Sequence, residues 1–366
     1  MQNVKRLYFI DAVRAFAILM MLQGHFIDTL LNPVYKDKTN LVYAIWSYFR
    51  GITAPMFFTI SGLVFTYLLL RAYRKNADSI RIKKGVFRGL LLILTGYLLR
   101  VNFLSWFSGN FNTRFLVVDV LQCIGLSLII LVGLHMLLKQ NSYLFSIVLF
   151  TIGFMIFLCE PLYRNLILCE SVPVLFSNYI SKANGSVFTI LPWFGYSAFG
   201  AFTATIFFRH ADKDKFRMFT IAAFIIVGYF LSFHSSWLFL KISNATGIEL
   251  FCKSANYNYL FSRFGNVLLL FAIFYSLERF LKLSFITKIG QKTLLIYVFH
   301  FILLYGSFTG IGLKNYLSKS LEPHEAVVGA VFFIIFVCLI SYYYVKTNAY
   351  VYSKIKIIVE KLKRNS

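Results

Sequence analysis

IDAVRAFAILMMLQGHFIDTLL, residues Ile10–Leu31, is the stretch that decides the fold. It is long enough to span a bilayer, because about 20 helical residues cross roughly 30 Å of hydrocarbon. Yet it carries Asp11, Arg14 and His25. Ionisable groups inside a span are costly, and by default they mark a pathway or an active site. The step from Arg14 to His25 is three helical turns, so the two side chains fall within roughly 20° of each other and about 16 Å apart along the axis. One face of one helix therefore offers a guanidinium near one membrane surface and an imidazole deep inside.

The rest of the chain is built to match. Its 366 residues are 59% hydrophobic and only 14% charged, with a mean hydropathy of +0.71. A soluble protein of this length needs far more charge to cover its surface. The expected class is all-α: a polytopic membrane protein with no room for a separate soluble domain. The net charge of +23 fits the positive-inside bias and anionic lipid headgroups, so the bilayer is the expected partner and nucleic acid is not. The five cysteines show no CxxC spacing, and no metal site is expected.

Apolar runs place ten spans at about 8–31, 43–70, 87–107, 115–138, 143–159, 188–208, 217–240, 257–278, 290–308 and 325–345. An even number puts both termini on one side. With the N-terminus inside, the inner segments hold 24 of the lysines and arginines and the outer loops nine. That asymmetry predicts cytoplasmic termini. Cys159, Cys169 and Cys252 then fall on the outer face, where one disulfide can form. Residues 1–350 read as a single transmembrane domain. The tail 351–366 (VYSKIKIIVEKLKRNS) is apolar on one face and basic on the other, as expected of a helix lying on the inner membrane surface.

The remaining ionisable groups cluster by depth. Arg14 and Asp11 lie near the inner surface, above the inner basic cluster that begins with Arg71 and Arg74. His25, Arg50, Arg100, Asp119, Gln122 and Arg263 lie in the outer halves of their spans. His300, one turn after Tyr297, is near the middle of the ninth span. Each has a structural reading beside the functional one. Arg50 and Arg263 can snorkel to headgroups, Asp119 can pair with Arg100 to hold two helices together, and a histidine can bond a backbone carbonyl. Read functionally, they form a polar cavity open to the outside and approached from below by Arg14. A neutral histidine at such a cavity is a candidate general base, and inner arginines suit a phosphorylated donor. Acyl transfer across the membrane fits this pattern, and so does transport or flipping of an anionic envelope intermediate.

Several segments resemble the heparan-alpha-glucosaminide N-acetyltransferase family of transmembrane acyltransferases. Asp11-Ala12-Val13-Arg14-Ala15-Phe16-Ala17 is similar to its D-x-x-R-G-x-A opening, with alanine for glycine after the arginine. Pro55-Met56-Phe57-Phe58-Thr59-Ile60-Ser61-Gly62 matches its P-x-F-x-x-x-x-G segment. Asp119-Val120-Leu121-Gln122-Cys123-Ile124-Gly125 is similar to its V-L-Q-x-x-G segment. Leu191-Pro192-Trp193-Phe194-Gly195-Tyr196, followed by Gly200, resembles a bacterial signature of the group, and Tyr297-Val298-Phe299-His300 its late Y-V-x-H segment.

The resemblance implies an acetyltransferase in a bacterial cytoplasmic membrane. Acetyl-CoA would be the donor, and a sugar amine or hydroxyl of an envelope glycan the acceptor. His25 and His300 are the expected catalytic residues. Arg14, Asp11, Arg71 and Arg74 are expected to hold the donor. Arg50, Arg100, Asp119, Gln122, Arg263 and Tyr297 are expected around the acceptor. The first outer loop, Asn32–Asn40, contains no histidine to carry an acetyl group, so direct transfer in a ternary complex is expected. A homodimer is among the assemblies open to such a chain.

Overall fold

The computed structural model describes residues 7–111, 113–168 and 171–364. Eleven helices carry the architecture: α1 (Tyr8–Leu30), α2 (Leu41–Arg74), α3 (Asp78–Leu98), α4 (Val120–Leu138), α5 (Ser142–Leu158), α6 (Ile190–His210), α7 (Phe216–Phe233), α8 (Tyr259–Ser276), α9 (Ser284–Gln291), α10 (Thr293–Tyr305) and α11 (Pro323–Arg364). Further helices, among them Ser235–Thr246 and Glu249–Asn256, fill several connections, and no strand occurs among the described residues. Seven of these helices are long and apolar enough to cross a membrane, or eight counting α9 and α10, which are bent by 69°, as one broken span. The protein is an all-α integral membrane protein.

Ten apolar runs were expected, and α3 and α5 make the difference. The first turns of α3 carry Asp78, Arg81, Lys83, Lys84 and Arg88, which dilutes its hydropathy. The 17 residues of α5 extend only about 26 Å. α11 runs unbroken from Pro323 to Arg364, through the residues of the basic tail. Its 42 residues would extend about 63 Å, twice the hydrocarbon thickness. Cys159 and Cys252 are free thiols, while Cys169 lies outside the described residues.

Local chemistry sets the helix ends. Asn40 caps α2 by accepting from the backbone N–H groups of Val42 and Tyr43, and Asn141 caps α5 in the same way. Asp119 and Gln122 form a reciprocal capping box at the start of α4. Gly306, at φ +73°, ends α10 in the left-handed conformation that glycine adopts without steric cost. The bundle is held by close backbone approach. Helices α2 and α6 make its most extensive pairing. A Cβ on Gly62 would collide with the Ser197 carbonyl, and one on Gly200 with the Thr59 carbonyl. Small residues at such crossings let helices pack where lipid removes the hydrophobic driving force. Large apolar side chains such as Phe219, Ile226 and Phe233 on α7, or Phe332 and Phe336 on α11, stay exposed on the outside of the bundle, as a lipid-facing surface requires.

Gly62→Val and Gly200→Val are expected to lower thermal stability in detergent by about 1–3 kcal/mol or more. Gly133→Ala, with open space around its Cα, should leave it unchanged or slightly higher. Equal midpoints for all three variants would remove the α2–α6 contact from its structural role.

Candidate active site

Two cavities lie end to end along α1. The first, about 390 Å³, is lined by Arg14, Ile18 and Met21 of α1, the second half of α2, Arg81, Lys84 and Arg88 of α3, part of α4, and Thr293, Leu294 and Tyr297 of α10. It holds four cationic side chains and no carboxylate among its lining residues. Residues 81, 84, 85, 88 and 92 share one face of α3, and all five line this cavity. Arg14 donates to the Thr293 hydroxyl at 3.1 Å, which fixes its guanidinium at the α9–α10 bend. Arg88 is within electrostatic reach of both Arg14 and Arg81. Like charges gathered this closely favour a polyanionic ligand.

The second cavity, about 690 Å³, is lined by His25, Arg50, Arg100, Asn102, Asp119, Tyr305 and Lys314, with apolar side chains between them. Met21, Phe57 and Val120 line both cavities, so a single layer of side chains separates them. The charges of the second cavity are mostly paired. Arg50 makes an ion pair with Asp28, and Arg100 lies 2.6 Å from Asp119. Gly24 has no Cβ, and the stem of Arg50 packs across it. Phe103 and Phe308 close the rim through paired backbone bonds, Phe103 N to Phe308 O at 2.8 Å and Phe308 N to Val101 O at 2.9 Å.

His25 and His300 are neighbours, with ring centroids 5.3 Å apart at 62°. His25 Nδ1 is 2.7 Å from the Tyr305 hydroxyl, which also accepts from Thr29 Oγ1 at 3.3 Å. A hydroxyl serves either imidazole tautomer. With the proton on Nδ1, donated to Tyr305, Nε2 is left as a base. His25 is partly exposed to the cavity, whereas His300 is fully buried and neither of its ring nitrogens has a hydrogen-bond partner. Tyr297 stacks edge-on against His300, centroids 4.9 Å apart.

The expected site residues therefore separate into groups. Arg14 and Tyr297 line the first cavity, while His25, Arg50, Arg100 and Asp119 line the second. His300 sits behind both. Gln122 is fully buried and spends its amide on the α4 cap, with Gly96 packed against it. Arg263 lies against Gly51 and donates to the Tyr48 carbonyl at 3.1 Å. Arg71 lies over Tyr67, and Arg74 over Phe208 with a hydrogen bond to its carbonyl. Asp11 is buried one turn before Arg14, where Gly290 packs on its backbone. Gln122, Arg263, Arg71, Arg74 and Asp11 line neither cavity.

Sequence reasoning passed over Tyr305, Asp28, Thr293 and the cavity face of α3. Signals for some of them were present. Asp28 is the one acid in the turn after His25, and Tyr305 lies two turns beyond Tyr297. Among the described residues no group of three or more His, Cys, Asp or Glu is placed to hold a metal.

The family model of the heparan-alpha-glucosaminide N-acetyltransferase catalytic domain matches residues 6–243. That segment contains every lining residue of both cavities except those from α10 and the loop after it. No curated protein matches the chain.

A double-mutant cycle on Arg100→Ala and Asp119→Asn should return a coupling of about 0.5–3 kcal/mol in thermal stability. Strict additivity would mean that the pair does not join α3 to α4.

Proposed function

The chain belongs to the heparan-alpha-glucosaminide N-acetyltransferase catalytic domain family, and from that premise we propose that it passes an acetyl group from acetyl-CoA on one side of the membrane to a glycan on the other. The observation that carries this reading is the pair of cavities: four cations without a carboxylate in one, a histidine in the other, and one layer of side chains between them. The basic cavity takes the phosphates of CoA. Guanidinium forks suit phosphate oxygens, and Arg14, Arg81, Lys84 and Arg88 supply the charge. The pantetheine arm then lies along α1 and brings the thioester to Met21, Phe57 and Val120.

The acceptor occupies the second cavity. His25 removes its proton as the amine or hydroxyl attacks the thioester carbonyl. The new C–N or C–O bond forms and the C–S bond breaks, leaving CoA thiolate in the basic cavity. Tyr305 orients the imidazole through its hydroxyl, 2.7 Å from Nδ1. Transfer is direct, in a ternary complex, and needs no acetylated residue. In the bilayer, α3 and α5 complete ten spans, and the positive-inside bias puts the basic cavity and both termini in the cytoplasm of a bacterial inner membrane. The acceptor is an amino sugar or sugar hydroxyl of the envelope. The transport reading draws less support, because Arg50 and Arg100 are each neutralised by a carboxylate and offer no ladder of free cations to an anion.

CoA is expected to raise the thermal midpoint of the purified protein, and Arg14→Ala to remove most of that shift. Protein that shows no CoA binding at millimolar concentration contradicts the transferase. In a screen of hexosamines and hexoses by CoA-thiol release, His25→Ala should lower turnover by about 10² or more. Near-normal turnover would take His25 out of the base role.

A further inference from the structure

A third cavity, about 500 Å³, has no role in the scheme above. It is an apolar groove on the flank of the acceptor cavity, and the two share a wall. On α1, His25 lines the acceptor cavity and Phe26 the groove. On α10, Tyr305 lines the cavity and Leu303 the groove. On the short helix Leu313–Leu317, Lys314 lines the cavity while Leu313 and Tyr316 line the groove. Phe332, Phe333 and Phe336 of α11 form its far side. None of its lining residues carries a charge. Close packing sets the floor: a Cβ on Gly329 would stand 2.9 Å from the Phe26 ring, and the Phe26 and Phe333 rings are 5.2 Å apart. Ile311, Tyr316, Phe332 and Phe336 are exposed, so the groove opens sideways from the bundle.

The charges of the acceptor cavity show how the two spaces are joined. Arg50 and Arg100 are taken by Asp28 and Asp119. Lys314 is exposed and has no ion-pair partner among the described residues. The unpaired cation of the cavity thus stands on the helix that divides it from the groove. A free sugar needs neither that cation nor the groove, and a bulk lipid chain needs neither the cation nor the histidine. A sugar carried on a hydrocarbon chain through a phosphate uses all three in order.

We propose that the groove receives the hydrocarbon tail of a lipid-linked acceptor, a sugar phosphate ester whose phosphate rests at Lys314. This rests on the transferase reading and names its acceptor class. The sugar lies in the second cavity beside His25. The phosphate accepts from the Lys314 ammonium, a charge-assisted bond. The tail turns over the short helix and lies between α10 and α11, where its apolar surface leaves the lipid for a fitted wall. Ile311 and Lys314 are binding residues, and neither touches the reacting atoms.

The direct test is photolabelling of the full chain in phosphatidylcholine vesicles without acetyl-CoA. The probe is glucosamine 1-phosphate esterified to a decyl chain that ends in a diazirine. Light should attach it to residues 311–336. Excess unlabelled decyl ester should abolish that labelling, and excess phosphatidylglycerol should not. Equal competition by both, or no labelling there that the ester displaces, would make the groove an ordinary lipid surface and overturn the proposal. Kinetics give a second reading, by CoA-thiol release with glucosamine, glucosamine 1-phosphate and its decyl ester. The phosphate should lower KM about threefold or more, and the tail about tenfold or more again. Lys314→Gln should cancel the first gain and Ile311→Trp, which fills the groove, the second. Both side chains are exposed, so neither change disturbs the core. Partition into the bilayer would lower KM equally in native and variant protein, so an undiminished tail gain in Ile311→Trp also overturns the groove. Either failure leaves the transferase standing. Absence of CoA binding together with absence of thiol release from all three acceptors removes the transferase as well.

Discussion

A guanidinium and an imidazole on one stripe of a buried helix must be housed away from bulk water, and the bundle around α1 answers that constraint. Arg14 is held by the Thr293 hydroxyl at the α9–α10 bend, and His25 by the Tyr305 hydroxyl at the other end of α10. The same helix, α10, thus braces both ends of the stripe. Thr293, the first residue of α10 after the break, gives Arg14 its polar partner. Several other charges of the bundle are paired: Arg50 meets Asp28, Arg100 meets Asp119, and Glu160 meets Arg164. The Arg50–Asp28 pair ties α2 to α1, and the Arg100–Asp119 pair ties the end of α3 to the start of α4.

The exception is the basic cavity, where Arg14, Arg81, Lys84 and Arg88 gather without a lining carboxylate. On the proposed reading, this group is the site of the donor's phosphates. Glycine contacts do the complementary work. Gly62 and Gly200 bring α2 and α6 to backbone contact, and Gly89 and Gly125 do the same for α3 and α4. The cavity walls are therefore set by close backbone crossings.

Much of the fold was legible in the sequence, because spans are dictated by hydrophobic length. The first, sixth and eighth apolar runs differ from α1, α6 and α8 by no more than two residues at either end. The boundaries that moved did so for local reasons. Asp119 and Gln122 delay α4 by building its cap, and the amphipathic opening of α3 is helical well before its apolar run starts. The α9–α10 bend left no clear mark, because Lys292 and Thr293 are unremarkable residues in an apolar stretch. In the site, the stripe from Arg14 to His25 could be read from helical periodicity, and the closeness of His25 and His300 was the first expectation the structure could meet. Arg71, Arg74, Gln122 and Arg263 are placed in the sequence by depth, by charge clustering or by motif. Depth does not say which way a side chain faces, and only helix packing settles that.

The central claim is that the acetyl group moves between two cavities that open to opposite sides of a membrane. Sealed vesicles of uniform orientation test it directly, with labelled acetyl-CoA supplied only to the side of the α1 N-terminus and an amino sugar only to the other. The account predicts acetylated sugar on the far side while CoA thiol stays on the near side. Label transferred only when both substrates share one compartment would contradict it.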